Sequence, residues 1–199
     1  MRCRHGTGAA FFIVLVWLMN LLAIVLLLNQ RLPNPAFAWS LRLGLLVASV
    51  GMAVAFFMTS GPTPAQLAAD QRGEGMPIVG AHSVGVEDDG PGLPVTGLST
   101  VGGDLRVAHF FGLHGLQALP LLGFLLANFG PVWLCPGHRV ALVWTAGLTY
   151  LGFVLILTWQ ALRGVPVVAP DAPTLLALLA AAGTVSSLMV LSARQAWAR

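Results

Sequence analysis

The residues that could do chemistry concentrate in one stretch, Gly103-Asp104-Leu105-Arg106 through His109, His114, Gln117 and Pro120, followed by Asn128. At about 100° per helical residue, Arg106, Gln117 and Asn128 drift by only about 20° per step of eleven and share one helix face. His114 lies about 60° from Gln117 on the same side, and His109 about 80° away on the other flank. The two imidazoles therefore diverge by about 140°, too far to grip one ion without a second segment. Polar side chains in an apolar helix are costly and turn toward a bundle interior, a cavity or a ligand. Pro120 frees the carbonyl of Leu116, and Gly112 and Gly115 permit close packing or a kink. An irregular helix beside such side chains is a common way to build an intramembrane binding site.

Three chemistries follow from these residue types. A ligand or proton site would use the stripe Arg106, His109, His114, Gln117 and Asn128. A haem would need two axial ligands at similar depth, and no other apolar run holds a His. Only His82, in the long connection before this helix, could join His109 or His114 from the same side. A transition-metal site would draw on His82, His109, His114 and Asp104, with Glu87, Asp88 and Asp89 nearby, a mixed imidazole and carboxylate set that suits zinc, iron or copper. No HxxxH or HExxH spacing supports it. Ser83, Ser99 and Thr100 lack the context of an activated nucleophile, and Gly97–Gly103 lacks the Lys of a phosphate cradle.

Gly92-Leu93-Pro94, Gly103–Arg106, His109-Phe110, Leu113-His114, Gln117 and Pro120 together resemble a segment of uncharacterised bacterial multi-pass membrane proteins. The resemblance covers about residues 60–122. It implies a multi-span fold and residues that act together; it brings no catalytic role with it.

The elements that position these residues are apolar. The chain has 199 residues, 57% hydrophobic and only 9% charged, where soluble domains carry about 25% charged residues. This composition predicts an all-α integral membrane protein, since the apolar runs are continuous rather than alternating. Five runs are long enough to span: 9–28, 41–58, 105–129, 140–159 and 173–192. Arg42 stands at the edge of the second, placed to snorkel. The first run exceeds a typical signal peptide and predicts a retained helix, although Ala36-Phe37-Ala38 resembles a cleavage site. Residues 59–104 form one long Gly- and Pro-rich loop. Within it, Thr63-Pro64 predicts the capped start of a short helix, and Pro77–Val86 has weak strand character.

All ten basic residues are Arg and Lys is absent. With abundant Ala, Gly, Leu and Val, this points to a GC-rich bacterial coding sequence and hence a bacterial plasma membrane. The arginines are scattered, which excludes a nucleic-acid stripe. They divide equally between the two sides of a five-span threading, but all seven acids fall on the side of the N-terminus and the long loop. That asymmetry favours an exoplasmic loop. Cys3 and Cys135 fall on opposite sides and cannot pair. Gly44, Ala48, Gly51 and Ala55 form a small-residue stripe on the second span, for packing within one bundle or for a homo- or hetero-oligomer. The functional expectation is a non-enzymatic accessory or ligand-sensing membrane component, with its site where the loop meets the third span. The alternative is a haem- or metal-binding redox or transport component using His109 and His114.

Overall fold

The computed structural model describes residues 5–75, 79–88 and 90–197. Cys3, Ile78 and Asp89 lie outside them. The chain is all-helical: α1 His5–Asn29, α2 Pro35–Met58, α3 Pro64–Gln71, α4 Leu105–Phe129, α5 Pro136–Leu162 and α6 Ala172–Trp197. A two-stranded antiparallel ladder, β1 Ser83–Val84 with β2 Gly103–Asp104, is inserted before α4. α1, α2, α4 and α5 are each long and apolar enough to cross a membrane, and Ala172–Ser187 of α6 is a shorter apolar stretch.

Capping chemistry sets the helix ends. α2 starts at Pro35, ahead of the apolar run at Leu41, because Asn34 Oδ1 accepts from Phe37 N and Pro35 takes the first position. α5 likewise starts at Pro136 rather than Val140. It ends where Gly164 adopts φ 72°, with Gly164 N donating to Ala161 O and Val165 N to Gln160 O. This is the double bond pattern of a glycine-terminated helix. α3 has the expected capping box: Gln66 N donates to Thr63 Oγ1 and Thr63 N to Gln66 Oε1. Among the described residues of 77–86, strand character is confined to Ser83–Val84.

α2, α4 and α5 form the centre, with Val47, Leu119, Val143 and Val154 almost fully buried among them. α2 and α4 run antiparallel and touch backbone to backbone. A Cβ on Gly51 would stand 2.6 Å from Gly112 Cα, and one on Gly44 would stand 3.1 Å from Gly115 O. The small-residue stripe of α2 therefore faces α4 of its own chain. Its absent side chains let dispersion contacts form along two helix axes at once. On the far side, Gly147 of α5 receives Leu43.

The outer helices are latched on by polar groups. Trp17 Nε1 donates to Ser49 O at 3.0 Å, and Asn20 Nδ2 donates to Leu45 O and to Ser49 Oγ, which joins α1 to α2. Arg42 reaches back to cap α1, donating to Leu27 O and Gln30 O. Arg139 does the same for α4, donating to Ala127 O, Gly130 O and Pro131 O. Arg163 pairs bidentately with Asp171 at 2.7 Å. Asp171 in turn accepts from Thr174 N at the start of α6.

The glycine crossing predicts a sharp asymmetry between two substitutions. Gly51→Ala should lower the thermal stability of the detergent-solubilised protein by about 1–3 kcal/mol, since α2 must move away from α4. Gly152→Ala, where a Cβ meets nothing within 4 Å, should leave the melting temperature unchanged or slightly raised. Melting followed by circular dichroism distinguishes the two.

Candidate functional site

The described residues between α2 and α4 fold back over the ends of α2, α4 and α5. The carbonyl that ends α2, Met58 O, accepts from Ala81 N. Gly80 has φ 95°, and a Cβ there would collide with that same carbonyl. Gly103 lies against Ala161 at the end of α5 too closely for any side chain. Leu105 N donates to His82 O, so the ladder runs directly into α4.

Asp104 organises this junction. It is the N-cap of α4 and 2% exposed. Its Oδ1 accepts from Arg106 N and Nε, both at 3.0 Å. Its Oδ2 accepts from Ser99 N at 3.0 Å and Arg106 Nη2 at 2.7 Å. Arg106 Nη2 also donates to Gly97 O, and Ser99 Oγ accepts from Gly102 N. One carboxylate thus starts a helix, orders the 97–102 turn and holds a guanidinium. Burial opposes its ionisation, but the Arg106 side chain and the N–H groups of Ser99 and Arg106 outweigh it and hold its carboxyl below the usual range.

Beside Asp104 lies His82. Its Nδ1 is 3.3 Å from Asp88 Oδ1 and 4.0 Å from Asp104 Oδ1. Asp88 is fixed by Ser83 N and His82 N, which donate to its two oxygens at 2.8 and 3.3 Å. Ser83 Oγ also meets His82 Nδ1, at 3.2 Å. A hydrolytic relay needs Ser and Asp on opposite ring nitrogens. Here both share Nδ1, so the arrangement orders a turn rather than activating a nucleophile.

A cleft of about 680 Å³ opens between α3 and the 81–88 segment. Thr63, Gln66, Arg72, Ser83, Glu87 and Asp88 supply its polar lining. A second recess of about 400 Å³ adjoins it through Thr63, Ala81, Ser83 and Gly85, with Phe57, Leu105 and Leu162 among its lining residues. Gln66 holds the cleft in shape by donating to Gly80 O and accepting from Gly80 N. Arg72 is neutralised by Glu74 at 2.6 Å, so Glu87 and Asp88 give the cleft an acidic side.

The residues singled out on α4 are not gathered into one site. Arg106 faces the loop, bound to Asp104. His109 Nδ1 donates to Gly51 O at 2.8 Å, across the glycine crossing. His114 is exposed, its Nδ1 donating to Phe110 O and its ring 4.0 Å from the Phe110 ring. Gln117 and Asn128 are also exposed, so most of the polar stripe faces outward instead of into the bundle. The inward position belongs to Gly112, Gly115, Leu119 and Gly123. The four candidate metal ligands are likewise dispersed. His82 and Asp104 are neighbours, His109 is engaged with α2, and His114 is on the outer face. No group of three or more His, Cys, Asp or Glu that could hold a metal ion occurs among the described residues. Ser99, Ser83, Gln66 and the Gly97 carbonyl are the participants that sequence reasoning missed. The available signal was Asp104 itself, an N-cap residue directly before an apolar helix.

No known protein family, curated protein or solved structure matches the chain.

Asp104→Asn should release the loop while leaving the bundle intact, at a local cost on the order of 2–3 kcal/mol. Hydrogen exchange is expected to accelerate at Ser99, Gly102 and Arg106 N–H but not within α5. Because the Asp104 carboxyl is depressed on folding, its anchoring is complete at neutral pH. It should fade as pH falls below about 4, and the Asn variant should lose that pH dependence.

Proposed function

We propose that this chain is an integral membrane protein of a bacterial plasma membrane, a five-span bundle whose outer loop forms a ligand-recognition site. It would act as a non-enzymatic sensing or accessory component. The observation that carries this reading is the cleft between α3 and the 81–88 segment, held in shape by Gln66 on Gly80 and by Asp88 on the N–H groups of His82 and Ser83, with His82 4.0 Å from Asp104 at the start of α4. Four long apolar helices and a sparse set of charges, whose acids fall on one side of the threading, support the bilayer setting. The hydrogen bonds of Trp17 and Asn20 support a retained first helix. With every acid on the side of the loop and N-terminus, that side is exoplasmic.

The acidic side of the cleft, at Glu87 and Asp88, favours a small solute carrying positive charge. The ligand would be bound, not transformed, since the Ser83–His82–Asp88 cluster lacks relay geometry. A haem or metal centre on His109 and His114 gains no support, because one ring is bonded to α2 and the other lies on the outer face.

The test is a thermal-shift series on the full chain in nanodiscs with small amines, neutral sugars and carboxylates. A ligand at a hundred times its dissociation constant stabilises by about 2.7 kcal/mol, readily seen as a rise in melting temperature. Saturable stabilisation by an amine, reduced in Glu87→Gln, supports the reading. Absence of any saturable shift, or an equal shift in the variant, contradicts it.

A further inference from the structure

α4 carries a second pattern that the bundle leaves unused. Phe110, His114, Gln117, Leu121, Phe124 and Asn128 are spaced 4-3-4-3-4 and are all exposed. On a regular helix they fall within an arc of about 80°, centred opposite Gly112, Gly115 and Leu119. Phe110 and Leu121 are each 57% exposed and Phe124 is 47% exposed. This spacing is the seam of a two-stranded left-handed coiled coil. α1 packs on α2 and α6 on α5, and neither covers it.

The polar members of the seam identify the occupant. Asn128 Nδ2 donates once, to Phe124 O, leaving one N–H and Oδ1 for an identical amide opposite. With its amide nitrogen turned to the helix, Gln117 donates to Leu113 O and His114 O. Releasing one of these bonds provides an outward donor. His114 uses Nδ1 on Phe110 O, and its Nε2 has no partner among the described residues. Asn is self-complementary, and Gln117 with His114 forms a donor–acceptor pair that a two-fold axis repeats. Two copies inserted the same way hold each residue at the same depth as its twin, a match that no unrelated helix provides automatically.

We propose that the outward face of α4 is a self-association surface, on which a second copy packs its own α4 in parallel along Phe110–Asn128. Asn128 bonds the partner's Asn128, and Gln117 bonds the partner's His114. The proposal rests on the membrane-spanning reading, because the bilayer aligns the two copies. It does not require the ligand cleft.

The experiment is oxidative cross-linking of the full chain in native membranes, with Cys3 and Cys135 replaced by Ser and one new Cys at a time. Leu121→Cys should give a disulfide-linked species of twice the chain mass, and Leu148→Cys, equally exposed on α5, should not. His114→Leu with Gln117→Leu and Asn128→Leu, in the Leu121→Cys background, should reduce that product about five-fold, with helix content by circular dichroism unchanged. Equal cross-linking at Leu121→Cys and Leu148→Cys overturns the proposal. So does a product with the mass of a different partner, or a polar-to-Leu variant that dimerises as well as its parent. Carbonate extraction of the same membranes reports separately on insertion. A chain that resists extraction but does not cross-link refutes the dimer alone, and a chain that is extracted refutes the membrane reading.

Discussion

Backbone contact between α2 and α4 orients every polar residue on α4. Gly51 meets Gly112 and Gly44 meets Gly115 with no side chain between them. Close packing of this kind gains many dispersion contacts, and in a bilayer it is a main source of helix association. Once that face of α4 is fixed inward, the rest follows from helical geometry. Ala108 and Leu119 join the buried side. His109 falls at its edge, within reach of Gly51 O, and His114, Gln117 and Asn128 turn away.

The same crossing determines where α4 begins. Its first turn emerges beside the ends of α2 and α5, and Asp104 caps it there. A buried carboxylate left without partners would be strongly destabilising, and four N–H groups from Ser99 and Arg106 prevent that. The loop is thus folded by the requirements of one helix start. The other arginines follow a related logic. Arg42 and Arg139 satisfy carbonyls at the ends of α1 and α4, and Arg163 is held by Asp171. In a chain this poor in charge, nearly every guanidinium described has a structural partner.

Local signals in the sequence were reliable where one residue decides the conformation. The Thr63-Pro64 start of α3 and the bounds of α4 were both legible, and so was the divergence of His109 from His114. The starts of α2 and α5 were not, because an apolar run does not register a Pro–cap junction lying outside it. β2 was invisible because two residues, Gly103 and Asp104, become a strand only through pairing with Ser83 and Val84, some twenty positions away. The outward direction of the polar stripe is not legible in the sequence, for a comparable reason. Burying His114 and Gln117 competes with the glycine packing on the opposite face of α4. That competition is decided by α2, which a reading of α4 alone does not contain.

The orientation of α4 is therefore the central claim, and an intramolecular disulfide tests it directly. The Val47 Cβ lies 3.0 Å from where a Cβ on Gly115 would stand. In a chain lacking Cys3 and Cys135, Val47→Cys with Gly115→Cys should cross-link rapidly within one molecule under mild oxidation, and Val47→Cys with Gln117→Cys should not. The reverse result, with position 117 linking to α2 and position 115 remaining free, would show that the polar stripe faces inward and contradict this account.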